Sequence, residues 1–169
     1  RETVMSVRDM FIEDEFAVCD TFIHPYNYGQ DALADMINSG YAILNTRVTG
    51  SHDHWVNYSG YEFFNIQDVQ NLANGFMLPL VASITCGGGD FASQWEPTNF
   101  GETWLTAGTP AQPKGCIAFI GPSEYDTQTG WNNALDTGIF EGYSRYNLRR
   151  CGQMMLHGKM ALYNNYPYC

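Results

Sequence analysis

The segment Leu78–Phe91, LPLVASITCGGGDF, constrains the fold more than any other part of the chain. Its run from Leu78 to Ile84 is short, apolar and bounded by turn residues, the pattern of a strand buried in a parallel sheet. The run delivers Cys86 and then Gly87, Gly88 and Gly89. Open α/β sheets gather ligands and chemistry at the carboxyl ends of their strands. Glycines at such an end let the backbone turn sharply and let a substrate come close. Cys86 is therefore the leading candidate for a functional side chain.

The rest of the chain alternates between helix and strand patterns. Val4, Val7 and Phe11 form a helical stripe, and Glu15–Phe22 (EFAVCDTF) reads as a short strand. Ala32, Leu33, Met36 and Ile37 predict an amphipathic helix from Gln30 to Asn38, ended by Ser39 and Gly40. Tyr41–Asn45 is a second apolar strand, followed by a polar loop from Thr46 to Tyr61. A short helix opens at Asn65 or Ile66 and stops at Asn74 and Gly75. After the central strand come a helix at Phe100–Ala107, a strand within Gly115–Gly121, and helices at Asn132–Tyr146 and Gly152–Tyr163. This alternation predicts an α/β fold: a doubly wound, mostly parallel sheet with helices on both faces, in one domain over residues 1–169.

Composition narrows the function classes. The 169 residues are 44% hydrophobic and only 15% charged, which suits one globular domain with a real core. Eight Lys and Arg face 18 Asp and Glu, a net charge of -10. That sign disfavours nucleic acid and anionic membrane as partners. No apolar run has the length of about 20 residues that a membrane span needs. Surface positions rich in Asn, Gly, Tyr and Thr point to a secreted or cell-surface protein. Beginning at Arg1, the chain reads as a processed fragment of something longer. Cysteines stand at 19, 86, 116, 151 and 169, an odd number, so at least one thiol is free or paired between chains. No CxxC pair marks a cysteine-rich zinc site, and neither a metal nor a cofactor is expected.

Three expected strands end in polar loops at Asn45, Ile84 and Gly121, and in a parallel sheet these ends share one edge. A nucleophilic thiol at Cys86 would need a base or cationic neighbour, and backbone N–H donors for an oxyanion. The bland reading of a lone cysteine is a small buried hydrophobe. His52 and His54 flank Asp53 in the loop after Asn45. They read as a solvated loop, as replacement bases for Cys86, or as metal ligands. The last is disfavoured because alternate residues of an extended chain point to opposite sides. His24 and His157 read as structural, Cys116 as core, and Asn57-Tyr58-Ser59 as a glycosylation sequon if the protein is secreted. Trp55, Trp95, Trp104 and Trp131 allow a further reading, a peptide- or carbohydrate-binding module with exposed aromatic residues.

The runs ILNTRVTGSHDHW, FNIQDVQNLANGFMLPLVASITCGGGDF, FGETWL and PKGCIAFIGPS together resemble the catalytic domain of the gingipain-type cysteine peptidases, of the caspase-like clan. The resemblance implies a caspase-like fold with Cys86 as nucleophile, Gly50 as an oxyanion-hole glycine and Trp131 near the aromatic that caps the substrate pocket. It also implies a departure: Thr49 stands where the family has its catalytic histidine. A threonine hydroxyl does not titrate near neutral pH, so it neither generates thiolate nor protonates a leaving amine. The resemblance further implies that a strand lying between Glu15–Phe22 and Tyr41–Asn45 is missing or borrowed. Its source would be the upstream fragment of the same precursor or a neighbouring subunit, which makes an oligomer the expected state. The expected function is thus an inactive gingipain-like module in an extracellular complex or filament. The alternative is an active cysteine endopeptidase using Cys86 with His52 or His54.

Overall fold

The computed structural model describes residues 2–22, 29–56, 62–92 and 98–169. His24, the 57–59 sequon and Trp95 lie outside the described residues. In chain order the first elements are helix α1 (Glu2–Glu13), helix α2 (Gln30–Asn38) and strands β1 (Ile43–Thr46), β2 (Thr49–Gly50), β3 (His54–Val56) and β4 (Glu62–Asn65). Then come α3 (Ile66–Asn71), β5 (Leu80–Ser83), α4 (Phe100–Thr106), β6 (Gly108–Thr109), β7 (Gln112–Pro113), β8 (Ala118–Ile120), α5 (Thr129–Ser144) and α6 (Cys151–Asn165). These elements fall into two compact units, one of residues 22–126 and one of residues 1–21 with 127–169. Among the described residues no helix is long and apolar enough to cross a membrane.

The unit of residues 22–126 holds the parallel sheet, in strand order β1-β5-β8. Ile43 pairs with Leu80 and Thr46 with Ser83, while Leu80 pairs with Ala118 and Ala82 with Ile120. The strand expected from Leu78–Ile84 is thus the middle one, paired on both sides. The stretch read as a polar loop, Thr46 to Tyr61, carries β2 and β3, which join β4 in an antiparallel sheet because Trp55 and Phe64 turn inward from it. Trp55 stacks on Phe64 at 5.7 Å and meets Phe100 edge-on at 5.2 Å. Phe64 in turn stacks on Trp104 at 6.0 Å. These rings, with Val69, Leu72 and Val81, make the core of this unit. Two short helices start on matched caps: Asn65 with Asp68 at α3, and Asn99 with Glu102 at α4. Each pair satisfies two N–H groups that an uncapped helix would leave unpaired.

In the other unit α5 packs closely on α6. A Cβ added at Gly138 would lie 2.5 Å from Ala161 Cβ, so only glycine permits this approach. Phe11 of α1 meets Phe140 of α5 at 5.3 Å. The strand expected at Glu15–Phe22 does not form. Phe16 N–H donates back to Phe11 O at 3.0 Å, Glu15 takes a positive φ of 61°, and the Phe16 ring packs on Phe11 at 4.8 Å. The segment is used to stop α1, a local contact that outcompetes an extended pairing. β1 and β8 are the edges of the parallel sheet among the described residues.

None of the five cysteines forms a disulfide. Cys116 is buried just before β8, as its apolar neighbours suggested. Burial pushes its thiol up to about 12, with a smaller opposing effect from a hydrogen bond to the Ala118 backbone. A thiol ionises more easily unfolded than folded here, so this contribution to stability is complete below about pH 9 and is lost as pH rises toward 12. The urea midpoint should fall over that alkaline window, and Cys116→Ala should flatten the fall.

Asn74, fully buried, ties the segment before β5 to the one before β8. Its Nδ2 donates to Met77 O at 3.0 Å and Gly115 O at 2.9 Å, and its Oδ1 accepts from Gly115 N–H at 3.1 Å. Asn74→Ala leaves the Gly115 N–H unpaired in the interior and should cost about 3 kcal/mol in urea unfolding.

Candidate functional site

Because the ladder is parallel, Thr46, Ser83 and Ile120 end their strands at one edge, and the segments that follow converge there. Ile84 N–H donates to Thr46 O at 3.1 Å, and the Arg47 guanidinium donates to Ile84 O. Thr85 is buried, and Cys86, half-buried, follows it into a tight turn. That turn is held from two directions. From the segment after β8, Glu124 O accepts from Gly87 N–H at 3.0 Å and Pro122 O from Gly89 N–H at 2.9 Å. From the start of α4, Gly101 N–H donates to Gly88 O at 3.1 Å. Gly87 has φ 66°, and a Cβ there would sit 2.3 Å from the Tyr125 ring. A side chain at Gly87 would therefore meet both backbone strain and a steric block.

Gly50, expected to lie beside Cys86, does. A Cβ at Gly50 would be 2.4 Å from Thr85 Oγ1 and 2.8 Å from Cys86 O. Thr49, its neighbour in β2, is exposed and pairs with Val56, while Gly50 pairs with Trp55. Beneath the turn, Trp55 Nε1–H donates to Ser83 Oγ at 2.8 Å, and Ser83 Oγ lies 3.0 Å from Thr85 Oγ1.

His52 and His54 occupy different places around Asp53. Ser51 N–H donates to His54 O at 2.9 Å and closes the β2–β3 turn. His54 Nδ1 lies 2.6 Å from Asp53 Oδ1, whereas His52 Nδ1 lies 3.9 Å from it and 3.2 Å from Ser51 Oγ. The His52 carbonyl accepts from Phe100 N–H at 2.7 Å, one residue before the N–H that binds Gly88 O. His52 is thereby linked to the Cys86 turn through the start of α4. His54 is adjacent in β3 to inward-facing Trp55, so it points to the other side of that strand. Among the described residues no group of three or more His, Cys, Asp and Glu side chains is placed to hold a metal ion. Trp131, half-buried, stands in the first turn of α5, within the other unit. Trp55 and Trp104 are 1% and 0% exposed, so the four tryptophans do not form an exposed row.

Sequence reasoning overlooked Arg47 and the Trp55–Ser83–Thr85 chain. Arg47 carried a signal: with Lys114 it is one of only two Lys or Arg residues between positions 22 and 126. The hydroxyls carried none, because Ser83 and Thr85 read as ordinary strand residues.

A cysteine at the carboxyl end of the middle strand, with a glycine of the preceding β-hairpin against its backbone, is the arrangement of a caspase-like cysteine peptidase domain. The family model described as peptidase family C25 matches residues 3–168, and the chain belongs to that family. The fold matches the crystal structure of the Arg-specific cysteine proteinase gingipain R (RgpB), with a TM-score of 0.86 and 19% identity over 99% of this chain and 38% of that one. It matches the complex of Porphyromonas gingivalis RgpB pro- and mature domains with a TM-score of 0.84 and 19% identity, over 96% of this chain and 37% of that one. A third structure, described only as a protease, matches with a TM-score of 0.70 and 17% identity over 84% of this chain and 32% of the other. None of the curated proteins matches the chain. The chain thus spans less than two fifths of each solved chain it resembles. The expected α/β, caspase-like fold is the fold observed.

The contact at Gly50 is directly testable. A methyl there overlaps the Thr85 hydroxyl and forces the hairpin off the Cys86 turn. Gly50→Ala should lower the unfolding free energy by about 1–3 kcal/mol, measured by urea denaturation.

Proposed function

We propose that this chain is a non-catalytic gingipain-type module, a single caspase-like domain or a processed fragment of one, that acts in the assembly of a secreted or cell-surface complex. The observation that carries the reading is Thr49: Gly50 packs on the Cys86 backbone, and the residue beside it offers no titratable group. A thiol without a general acid/base loses both its activation and the protonation of the leaving amine. In this reading Cys86 keeps the nucleophile position and Gly50 the oxyanion position. The assembly role is supported by β1 at a sheet edge, which offers backbone groups to an added strand. The partner would be an upstream fragment of the same precursor or a neighbouring subunit. The likeness to a complex of RgpB pro- and mature domains favours the former.

One observation favours a second reading, an active cysteine endopeptidase. The His52 carbonyl and Gly88 O are bound by successive N–H groups of α4, which keeps His52 near the Cys86 turn. In that reading His52, rather than His54, supplies the base.

Peptide cleavage separates the two. With a mixed fluorogenic peptide library the wild-type chain should show no cleavage that depends on Cys86, and Thr49→His should create such cleavage. Wild-type cleavage that is abolished by both Cys86→Ala and His52→Ala would replace the first reading with the second.

A further inference from the structure

The hydroxyl chain beneath the Cys86 turn is buried and starts at an indole. Trp55, Ser83 and Thr85 are 1%, 0% and 1% exposed. An indole N–H can only donate, so Ser83 Oγ receives from Trp55 at 2.8 Å. A buried hydroxyl left without a partner is costly, and Ser83 Oγ shares a second hydrogen bond with Thr85 Oγ1, 3.0 Å away. Trp55, Ser83 and Thr85 are thus joined in one buried chain, which holds Thr85 from below. Above it, Thr85 Oγ1 sits between two glycines. It would lie 2.4 Å from a Cβ on Gly50 and 3.2 Å from a Cβ on Gly88. One oriented hydroxyl thus meets both the hairpin glycine and the turn that carries Cys86.

We infer that Thr85, oriented by Ser83 and Trp55, is a positioning residue that sets the spacing between Gly50 and the Cys86 turn, and so shapes a pocket for a carbonyl oxygen. The inference rests on the reading of Gly50 and Cys86 as an oxyanion pocket. It does not need a general base, because a catalyst changes the rate of a reversible addition and not its equilibrium. The matching ligand class is an aldehyde related to a peptide carbonyl. The Cys86 sulfur bonds to the aldehyde carbon, the carbonyl π pair moves to oxygen, and the thiol proton ends on that oxygen, giving a neutral hemithioacetal. Alkylation of the same sulfur by iodoacetamide displaces iodide and uses no oxyanion pocket.

The test compares the two reactions on the full chain. N-acetylalaninal capture is measured by titration, Cys86 alkylation by peptide mass spectrometry, and folding by thermal melting. Thr85→Val should weaken aldehyde capture about tenfold, as expected for a misplaced oxyanion donor, while the alkylation rate at Cys86 keeps its wild-type value. Thr85→Ser should restore capture. Trp55→Phe, which removes the first donor of the chain, should weaken capture in the same direction, and it carries the test if Thr85→Val does not fold. Capture by Thr85→Val at the wild-type level overturns the inference. So does a joint fall of capture and alkylation that Thr85→Ser does not rescue, because that marks a merely structural role. A wild-type chain that is alkylated at Cys86 yet captures no aldehyde, or whose capture survives Cys86→Ala, overturns the pocket reading itself and the inference with it.

Discussion

The double-sided pairing of β5 is the constraint on which the rest of the described sheet depends. Its residues Val81, Ala82 and Ser83 are buried, and their backbone groups have no water to bind. β1 on one side and β8 on the other satisfy them. Once both neighbours run parallel to β5, all three strand ends arrive at one edge. The Cys86 turn, the β2–β3 hairpin and the segment after β8 then meet without any further arrangement. The turn has little freedom left: its glycine N–H groups and carbonyls are engaged by Glu124, Pro122 and Gly101.

The aromatic core links this edge to the body of its unit. Trp55 places its rings among Phe64, Phe100 and Trp104 and its N–H on Ser83. The hairpin is thereby anchored by one residue through two kinds of interaction. Its other strand carries Gly50, which has no side chain to hold it away from Thr85. Gly50 thereby comes close to the backbone of the Cys86 turn, with exposed Thr49 beside it. Packing at this edge depends on Trp55, Ser83 and Gly50, and the exposed Thr49 side chain takes no part in it.

Much of the architecture was legible because it is local. The helix at Gln30–Asn38 has the expected bounds, and Asn65 caps α3 where the apolar stripe begins. The strand from Leu80 and the helix from Phe100 follow directly from an apolar run and a capping box. The reading went wrong where a local pattern had two uses. EFAVCDTF alternates like a strand, yet Phe16 is drawn onto Phe11 and the chain turns through Glu15. The stretch after Asn45 looked like a loop because its polar residues hide Trp55, whose burial depends on a core assembled from distant segments.

The sequence by itself determined the parallel strand that ends at Cys86, the family to which the chain belongs, and the absence of histidine at position 49. These follow from residue identity and short-range order. Only the tertiary structure decided that Gly50 lies on the Cys86 backbone, that His52 is tied to the start of α4 while His54 turns aside, and that Ser83 and Thr85 form a buried chain from an indole. The physical reason is common to all three. Each depends on contacts between segments far apart in the chain, and such contacts exist only after the buried strand has taken its two neighbours.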